Sequence, residues 1–476
     1  MKPEDFEAPL DAFSEYAMAV ENDDYPKTDF TQLQFRGPVD PAAMAEAHDD
    51  AIALVPIFSS HLVERRRGLL YRPRWVFDRE VPNRLRVEDC RHVAGDPFDP
   101  MDFSTRHYEL RIRQRMDLTR EFPCNCSLLR VGDEEHILSL QFHHSCMDAH
   151  KGYLYLTRLL AGYHERIKGK APDWADSQGM AALTRQGDMV KPVSAGRFIR
   201  EQLADVFWRN RSGSVSNIAS EEVRDYREVR GRYSLRAVIE DPAVLQGLFD
   251  RARAHHATVN DLFFAVTRRV LSRWNRDHGA SDDRFRFMLI TSIKGRTRQS
   301  EAAGAGVSGL NFVSTGQGGA SLDTLMQFFR DVRRDQLARG IDIRFNQAMC
   351  RMVGAARLLP LRKRSRLLNP VVNSIPCTFS LSNLGVVWPR MENGRPTLDS
   401  EVLGAGDFVI SDIHSSASAG RSVGLALAVR IHQRRMYLNF VADRFRFREP
   451  EARELVDRFV RELTAAHEPG SGQEGE

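Results

Sequence analysis

The run Glu135-His-Ile-Leu-Ser-Leu-Gln-Phe-His-His-Ser-Cys-Met-Asp-Ala149 constrains this chain more than any other stretch. Leu138, Leu140 and Phe142 recur at every second residue, the spacing of a strand with one buried face, and a strand carried to its end puts His144 on that inner face. Tyr153, Leu156, Leu160, Tyr163 and Ile167 then recur at helical spacing, with Asp148 where an N-cap belongs. The stretch reads strand, tight loop, helix.

Several chemistries fit it. Imidazole titrates near neutrality, so His144 at the mouth of a loop suits a general base. A core histidine beside an Asp148 that only caps the helix accounts for the same residues. A third reading takes His143, His144, Asp148 and His150 as metal ligands, but adjacent strand residues point to opposite faces, which opposes a shared ion. Cys146 as a nucleophile has no neighbour that lowers its pKa and no helix N-terminus beneath it.

His143-His144-Ser-Cys-Met-Asp148-Ala149 resembles the His-His-x-x-x-Asp-Gly signature of the condensation-domain and CoA-dependent acyltransferase superfamily, with Ala149 in the place of its glycine. Asp117 to Arg130 resembles the strand that precedes the signature there, and Leu154 to Arg166 the helix that follows it. Ala257-Thr-Val-Asn-Asp-Leu262 resembles a helix start of wax ester synthase/diacylglycerol acyltransferases, although a capping box explains Thr258 and Asp261 equally well. The strand Phe285 to Ile293 runs into Lys294-Gly-Arg-Thr-Arg298, similar to a family strand whose arginine pairs with the signature aspartate. Arg296 is the choice for that partner and Arg298 the alternative. Gly306 to Val313 resembles an element lining the family's tunnel, with Asn311 in its asparagine position. Cys377 to Gly385 resembles a Ser-Asn-x-Gly strand end, where Ser382 or Asn383 can donate to an oxyanion; a strand-terminating turn explains both elements as well.

The resemblance implies an α/β fold of two pseudo-duplicated chloramphenicol-acetyltransferase-like lobes, with mixed sheets flanked by helices and an active-site tunnel between the lobes. It implies His143, His144 and Asp148 as the catalytic set, with His144 the general base. The implied activity is acyl transfer to an alcohol or amine acceptor from a thioester, borne by coenzyme A or by the phosphopantetheine of a carrier protein. No permanently bound cofactor and no metal are expected. A non-catalytic docking module on the same fold is the rival; an epimerising relative would need a second acid/base residue that the chain does not reveal.

At 476 residues the chain exceeds one ordinary core, so two lobes are expected. The boundaries read 1–180 for the first lobe, 181–217 for a Pro-, Gly- and Ser-punctuated connection around a helical patch at Arg197 to Trp208, 218–467 for the second, and 468–476 for a disordered tail. With 42% hydrophobic and 28% charged residues and no long apolar run, no transmembrane segment is expected. The start, Met1-Lys-Pro-Glu-Asp-Phe-Glu, has no basic run before an apolar core, and six cysteines without Cys-x-x-Cys spacing suit a reducing compartment. A cytoplasmic, monomeric, free-standing enzyme is the expectation. A net charge of +4 with dispersed arginines argues against nucleic acid. Two basic clusters, Glu64-Arg-Arg-Arg67 and Leu361-Arg-Lys-Arg-Ser-Arg366, are either solvated faces or contacts for an acidic carrier or the phosphates of coenzyme A.

Elsewhere, Leu33 and Phe35 mark a strand before the Gly37-Pro38 turn, and Asp40-Pro41 opens a helix. Short strands follow at Phe58 to Val63 and Leu69 to Val76. In the second half the pattern predicts a strand at Arg227 to Ala237, a hairpin of Val423 to His432 with Arg435 to Ala442, and a closing helix at Glu449 to Ala465.

Overall fold

The computed structural model describes residues 6–78, 80–92, 107, 114–170, 194, 196, 215–220, 231–281, 284–292, 307–316, 319–373, 376–392, 395–400, 408–416 and 418–467. Arg296, Arg298, the helical patch at 197–208, most of the 181–217 connection and the tail 468–476 lie outside the described residues.

The first half runs β1 (Glu7–Pro9), α1 (Ala12–Val20), β2 (Thr28–Arg36), α2 (Pro41–Ala53), β3 (Ser60–Arg67), β4 (Leu70–Phe77), β5 (Arg86–Asp89), β6 (Cys124–Arg130), β7 (Glu135–His143) and α3 (Ala149–Ile167). The second runs β8 (Arg232–Ile239), α4 (Pro242–Ala254), α5 (Val259–Asp277), β9 (Arg284–Ser292), β10 (Val307–Thr315), α6 (Leu322–Ala338), α7 (Ile341–Ala356) and α8 (Leu361–Asn373). It continues with β11 (Cys377–Val386), β12 (Pro389–Glu392), β13 (Arg395–Ser400), β14 (Val409–Ser415), β15 (Val423–His432), β16 (Arg435–Asp443) and α9 (Glu449–Ala465).

Two mixed sheets organise these elements, one ordered β14-β2-β7-β6-β5 and the other β10-β9-β11-β15-β16-β8. Each contains the same four-strand unit. In β5-β6-β7-β2 and in β11-β15-β16-β8, the first pair is parallel and the next two are antiparallel. The helix after β2 and the helix after β8 both start at an Asp-Pro-Ala, Asp40 and Asp241, whose carboxylates accept from Ala42 N and Ala243 N at 2.8 Å. The pseudo-duplication therefore reaches down to individual caps.

The repeat also fixes the turn after each hairpin. His144 N–H donates to Lys27 O at 2.7 Å, and Arg444 N–H donates to Gly231 O at 3.0 Å in the equivalent place. Each turn then leads directly into a helix, α3 or α9. The fold thus supplies two copies of one loop, and only the first carries the histidine.

The lobes are not contiguous in sequence, which amends the 218–467 boundary. β14 pairs antiparallel with β2, Ile410 opposite Phe35, and extends the first sheet. Its Ile410 and Ile413 are buried in the first core with Leu33 and Phe35. Asp412 on the same strand forms an ion pair with Arg236 on β8, tying the two sheets together. The first sheet's open β2 edge explains the crossover, because an unpaired edge seeks a strand.

The β15–β16 hairpin turns at Gln433 and Arg434, both left-handed at φ 48° and 57°. Two consecutive positive φ values match the twist of a two-residue hairpin. The capping box of α5 forms as predicted, and Asp261, fully buried, is also gripped by Arg333 at 2.8 Å from α6. α1 is an element the sequence reading missed, although Phe13, Tyr16, Ala17 and Val20 follow the i, i+3, i+4, i+7 pattern of an amphipathic helix. Among the described residues no helix is long and apolar enough to cross a membrane.

Candidate active site

β7 ends at His143, one residue earlier than a strand carrying His144 requires. The chain then turns, with Cys146 N–H donating to His143 O at 3.0 Å, before Asp148 caps α3 by accepting from Lys151 N at 2.9 Å. Ala149 is the first helical residue and has no positive φ, so the family's glycine is not needed at this position.

The two histidines separate. His143 lies on the Thr28 face of the ladder and is fully buried. Its Nε2 is 3.0 Å from Glu21 Oε2, and its Nδ1 is 2.6 Å from Ser145 Oγ and 3.1 Å from Ser145 N. A backbone N–H can only donate, so Nδ1 accepts and Nε2–H donates to Glu21. Glu21 also accepts from Arg115 Nε at 3.2 Å. Burial pushes the Glu21 carboxyl up, but His143 and then Arg115 outweigh it and hold it below the ordinary carboxylate range. Glu21 is thus a buried anchor for the loop that carries His144.

His144 occupies the other face, on the wall of a cavity of about 1470 Å³. Its Nδ1 is 3.1 Å from Met147 O, and Phe13 meets the ring edge-on with centroids 5.1 Å apart. A carbonyl can only accept, so Nδ1 carries the proton and Nε2 keeps its lone pair. The histidine therefore presents a proton-accepting nitrogen in an orientation fixed by its own loop. Cys146 is buried and donates to His143 O and Pro123 O, and burial pushes its thiol up, which opposes thiolate formation.

Both halves build the cavity. α1 and α7 supply one wall, and the sheet supplies another through alternate residues of β9, namely Arg286, Met288 and Ile290, whose intervening Phe285, Phe287 and Leu289 fill the second core. Asn311 stands opposite Met288, which stands opposite Ser380; Gly309, Ile290 and Ser382 form the next row. All six line the cavity. Ser380 is a lining residue the sequence did not single out, and its two-residue spacing from Ser382 is the signal that finds it. The Asn383 amide is engaged by Asn260 Oδ1 at 2.7 Å, and its Oδ1 accepts from Gly385 N at 2.7 Å, so this side chain shapes the register irregularity within β11 between Asn383 and Val386. Lys27 also lines the cavity; burial, followed by Arg232, pushes its ammonium down to about 8.

The condensation-domain family model matches residues 30–339, more than half of the chain. The chain belongs to the condensation-domain family. Condensation domains form amide or ester bonds in nonribosomal-peptide-type systems, using thioesters held on carrier proteins. This condensation domain is 30% identical over 194 residues to the isonitrile lipopeptide synthase of Mycobacterium tuberculosis, covering 37% of this chain and 7% of that one. It is 26% identical over 260 residues to a probable non-canonical nonribosomal peptide synthetase, CymA, of Salinispora arenicola, covering 52% and 3%. It spans under a tenth of the length of these curated relatives. The first condensation domain of the calcium-dependent antibiotic synthetase, in complex with substrate analogue 3a, superposes with a TM-score of 0.68 at 15% identity, over 98% of this chain and 97% of that one. A mutant starter condensation domain of rhizomide synthetase, in complex with C8-CoA and Leu-SNAC, gives 0.64 at 15% identity, over 98% and 95%. At such identities these structures establish the fold, two lobes of mixed α/β sheets.

Proposed function

We propose that this condensation domain transfers an acyl group from a thioester, on coenzyme A or a carrier protein, to an amine or alcohol, with His144 as the general base. The observation that carries the proposal is the His144 Nε2 lone pair, presented to a cavity walled by both halves of the chain. The acceptor's proton passes to Nε2 as the acceptor attacks the thioester carbonyl. The tetrahedral oxyanion then collapses, and the departing thiolate takes the proton back from the imidazolium. No covalent enzyme intermediate or resident cofactor enters the scheme.

The remaining roles follow from position. Ser382 and Asn311 offer donors on the cavity face for the oxyanion, whereas Asn383 holds the irregularity in β11 next to Ser382. Asp148 fixes the start of α3, and Arg296 is its proposed partner. His143 acts through Glu21 and Ser145 as a positioning residue.

The test incubates the protein with octanoyl-CoA, octanoyl-N-acetylcysteamine and an octanoyl-loaded carrier against a panel of amines and alcohols, with products read by mass. His144→Ala should lose about 10²–10⁴-fold in rate with an unchanged circular dichroism spectrum. Activity of His144→Ala within a few-fold of wild type would sink the base assignment.

A further inference from the structure

Two opposite charges on the cavity wall are left unmatched by the rest of the described chain. Asp29 on β2 stands opposite Phe142 on β7, and the preceding Thr28 stands opposite His143. Alternation therefore puts Asp29 on the face of His144, as its diagonal neighbour across the ladder. Asp29 lines the cavity although the residue is only 6% exposed. Its Oδ1 is buried without a hydrogen-bond partner, and among the described residues the carboxylate forms no ion pair. Lys27, two residues earlier, also lines the cavity and forms no ion pair with it.

The matching cation comes from the other half. Val429 and Ile431 on β15 fill the second core, so Arg430 between them points away from that core. Its guanidinium carbon lies 5.8 Å from the centre of the Tyr153 ring on α3. Arg430 is 1% exposed and lines the same cavity as Asp29. Nη1 donates to Val429 O at 2.7 Å, Nε has no partner, and among the described residues no carboxylate pairs with this guanidinium. Burial presses its pKa down, and Tyr153 and then Asp29 act against that, so Asp29 bears on Arg430 although the two form no ion pair.

Burying a charge is costly unless a partner meets it. Here one charge of each sign, one from each half, faces one cavity, and a ligand carrying both signs satisfies them together. We propose that the acceptor is a free amino acid, held with its ammonium group on Asp29 beside His144 and its carboxylate on Arg430. An amino acid bound as a thioester has no carboxylate for Arg430, and an alcohol has no ammonium for Asp29. The planar guanidinium fork suits a carboxylate. The inference rests on the acyl-transfer reading above and names its acceptor. The bound ammonium releases one proton to solvent before it attacks the thioester. His144 Nε2 takes the second as the C–N bond forms and passes it to the departing thiolate. Each turnover then yields an N-acyl amino acid, a thiol and one released proton.

The test compares ligands before it compares variants. Wild type is titrated calorimetrically with each of the common amino acids and with β-alanine. The tightest binder is set against its amide, which lacks the carboxylate charge, and its hydroxy analogue, which lacks the ammonium. Each analogue should bind about 10- to 100-fold more weakly, the worth of a hydrogen bond to a charged group. This comparison does not depend on any variant folding. Asp29→Asn should weaken the amino acid by a similar factor and leave the hydroxy analogue unchanged. Arg430→Gln should weaken the amino acid and leave the amide unchanged. Failure of every amino acid to bind, or equal affinity for the amino acid and its amide, would overturn the proposal. So would an equal loss of all three ligands in either variant, which would make that residue structural. If octanoyl-CoA acylates simple amines as fast as amino acids, the acyl-transfer reading stands and this acceptor site falls. If binding is selective as expected while no donor yields an N-octanoyl amino acid, the acyl-transfer reading fails and the binding site stands.

Discussion

Removing the Glu21 carboxylate tests whether His143 supports the site or takes part in the chemistry. Glu21 has a side chain 1% exposed and holds the fully buried His143 at 3.0 Å and Arg115 at 3.2 Å. Glu21→Ala leaves the N–H of a buried neutral imidazole without its acceptor and should cost about 1–3 kcal/mol, the range for an orphaned buried donor. Glu21→Gln keeps an amide oxygen for Nε2–H and should cost less. The pH dependence has a definite sign. The folded carboxyl titrates below its ordinary value of 4.5. Its contribution is therefore complete above that pH and fades as the pH falls through the lower folded value. Urea denaturation at pH 7 and across the acid range measures both quantities, and the gap between wild type and Glu21→Gln should close on acidification. Because this anchor sets the loop that carries His144, kcat should also fall, by up to about 10²-fold, since misplacement by about 1 Å costs that much. A Glu21→Ala variant destabilised by under about 1 kcal/mol, or a gap independent of pH, would refute the reasoning.

Asp148→Asn and Arg296→Ala should each lower activity and stability, and the double variant should lose less than the sum of the two, because partners in one interaction do not add. A strictly additive double-mutant cycle would dissolve that pairing. Glu15→Ala should destabilise the protein by about 3–5 kcal/mol by orphaning Arg364 and Arg357, the latter bonded to Glu15 at 2.6 Å, and amide hydrogen exchange in α1 should accelerate. Protection of α1 equal to wild type would show that this clasp does not hold the cavity wall. Cys146→Ala should retain transfer activity within a few-fold, and a loss comparable to that of His144→Ala would reinstate the thiol as a reacting group.

What the sequence determined by itself was local. The β7–loop–α3 unit, the Asp40 cap, the Thr258 capping box and the β15–β16 hairpin were readable because their signals span two to four residues: strand alternation, side chain to backbone caps and tight turns. The resemblance around His144 supplied the family and hence the two-lobed fold. The tertiary structure decided what depends on distant partners. Glu21 reaches His143 across 122 residues, β14 leaves the second half to pair with β2, and Arg364 turns inward to Glu15 while its neighbours in the same run stay exposed. Such choices come from competition among open strand edges and buried charges across the whole chain, which no local period encodes. The two equivalent turns show the division most plainly. Backbone pairing makes the His144 and Arg444 loops alike, and only the side chains and the cavity at the first turn set that one apart as the proposed reacting centre.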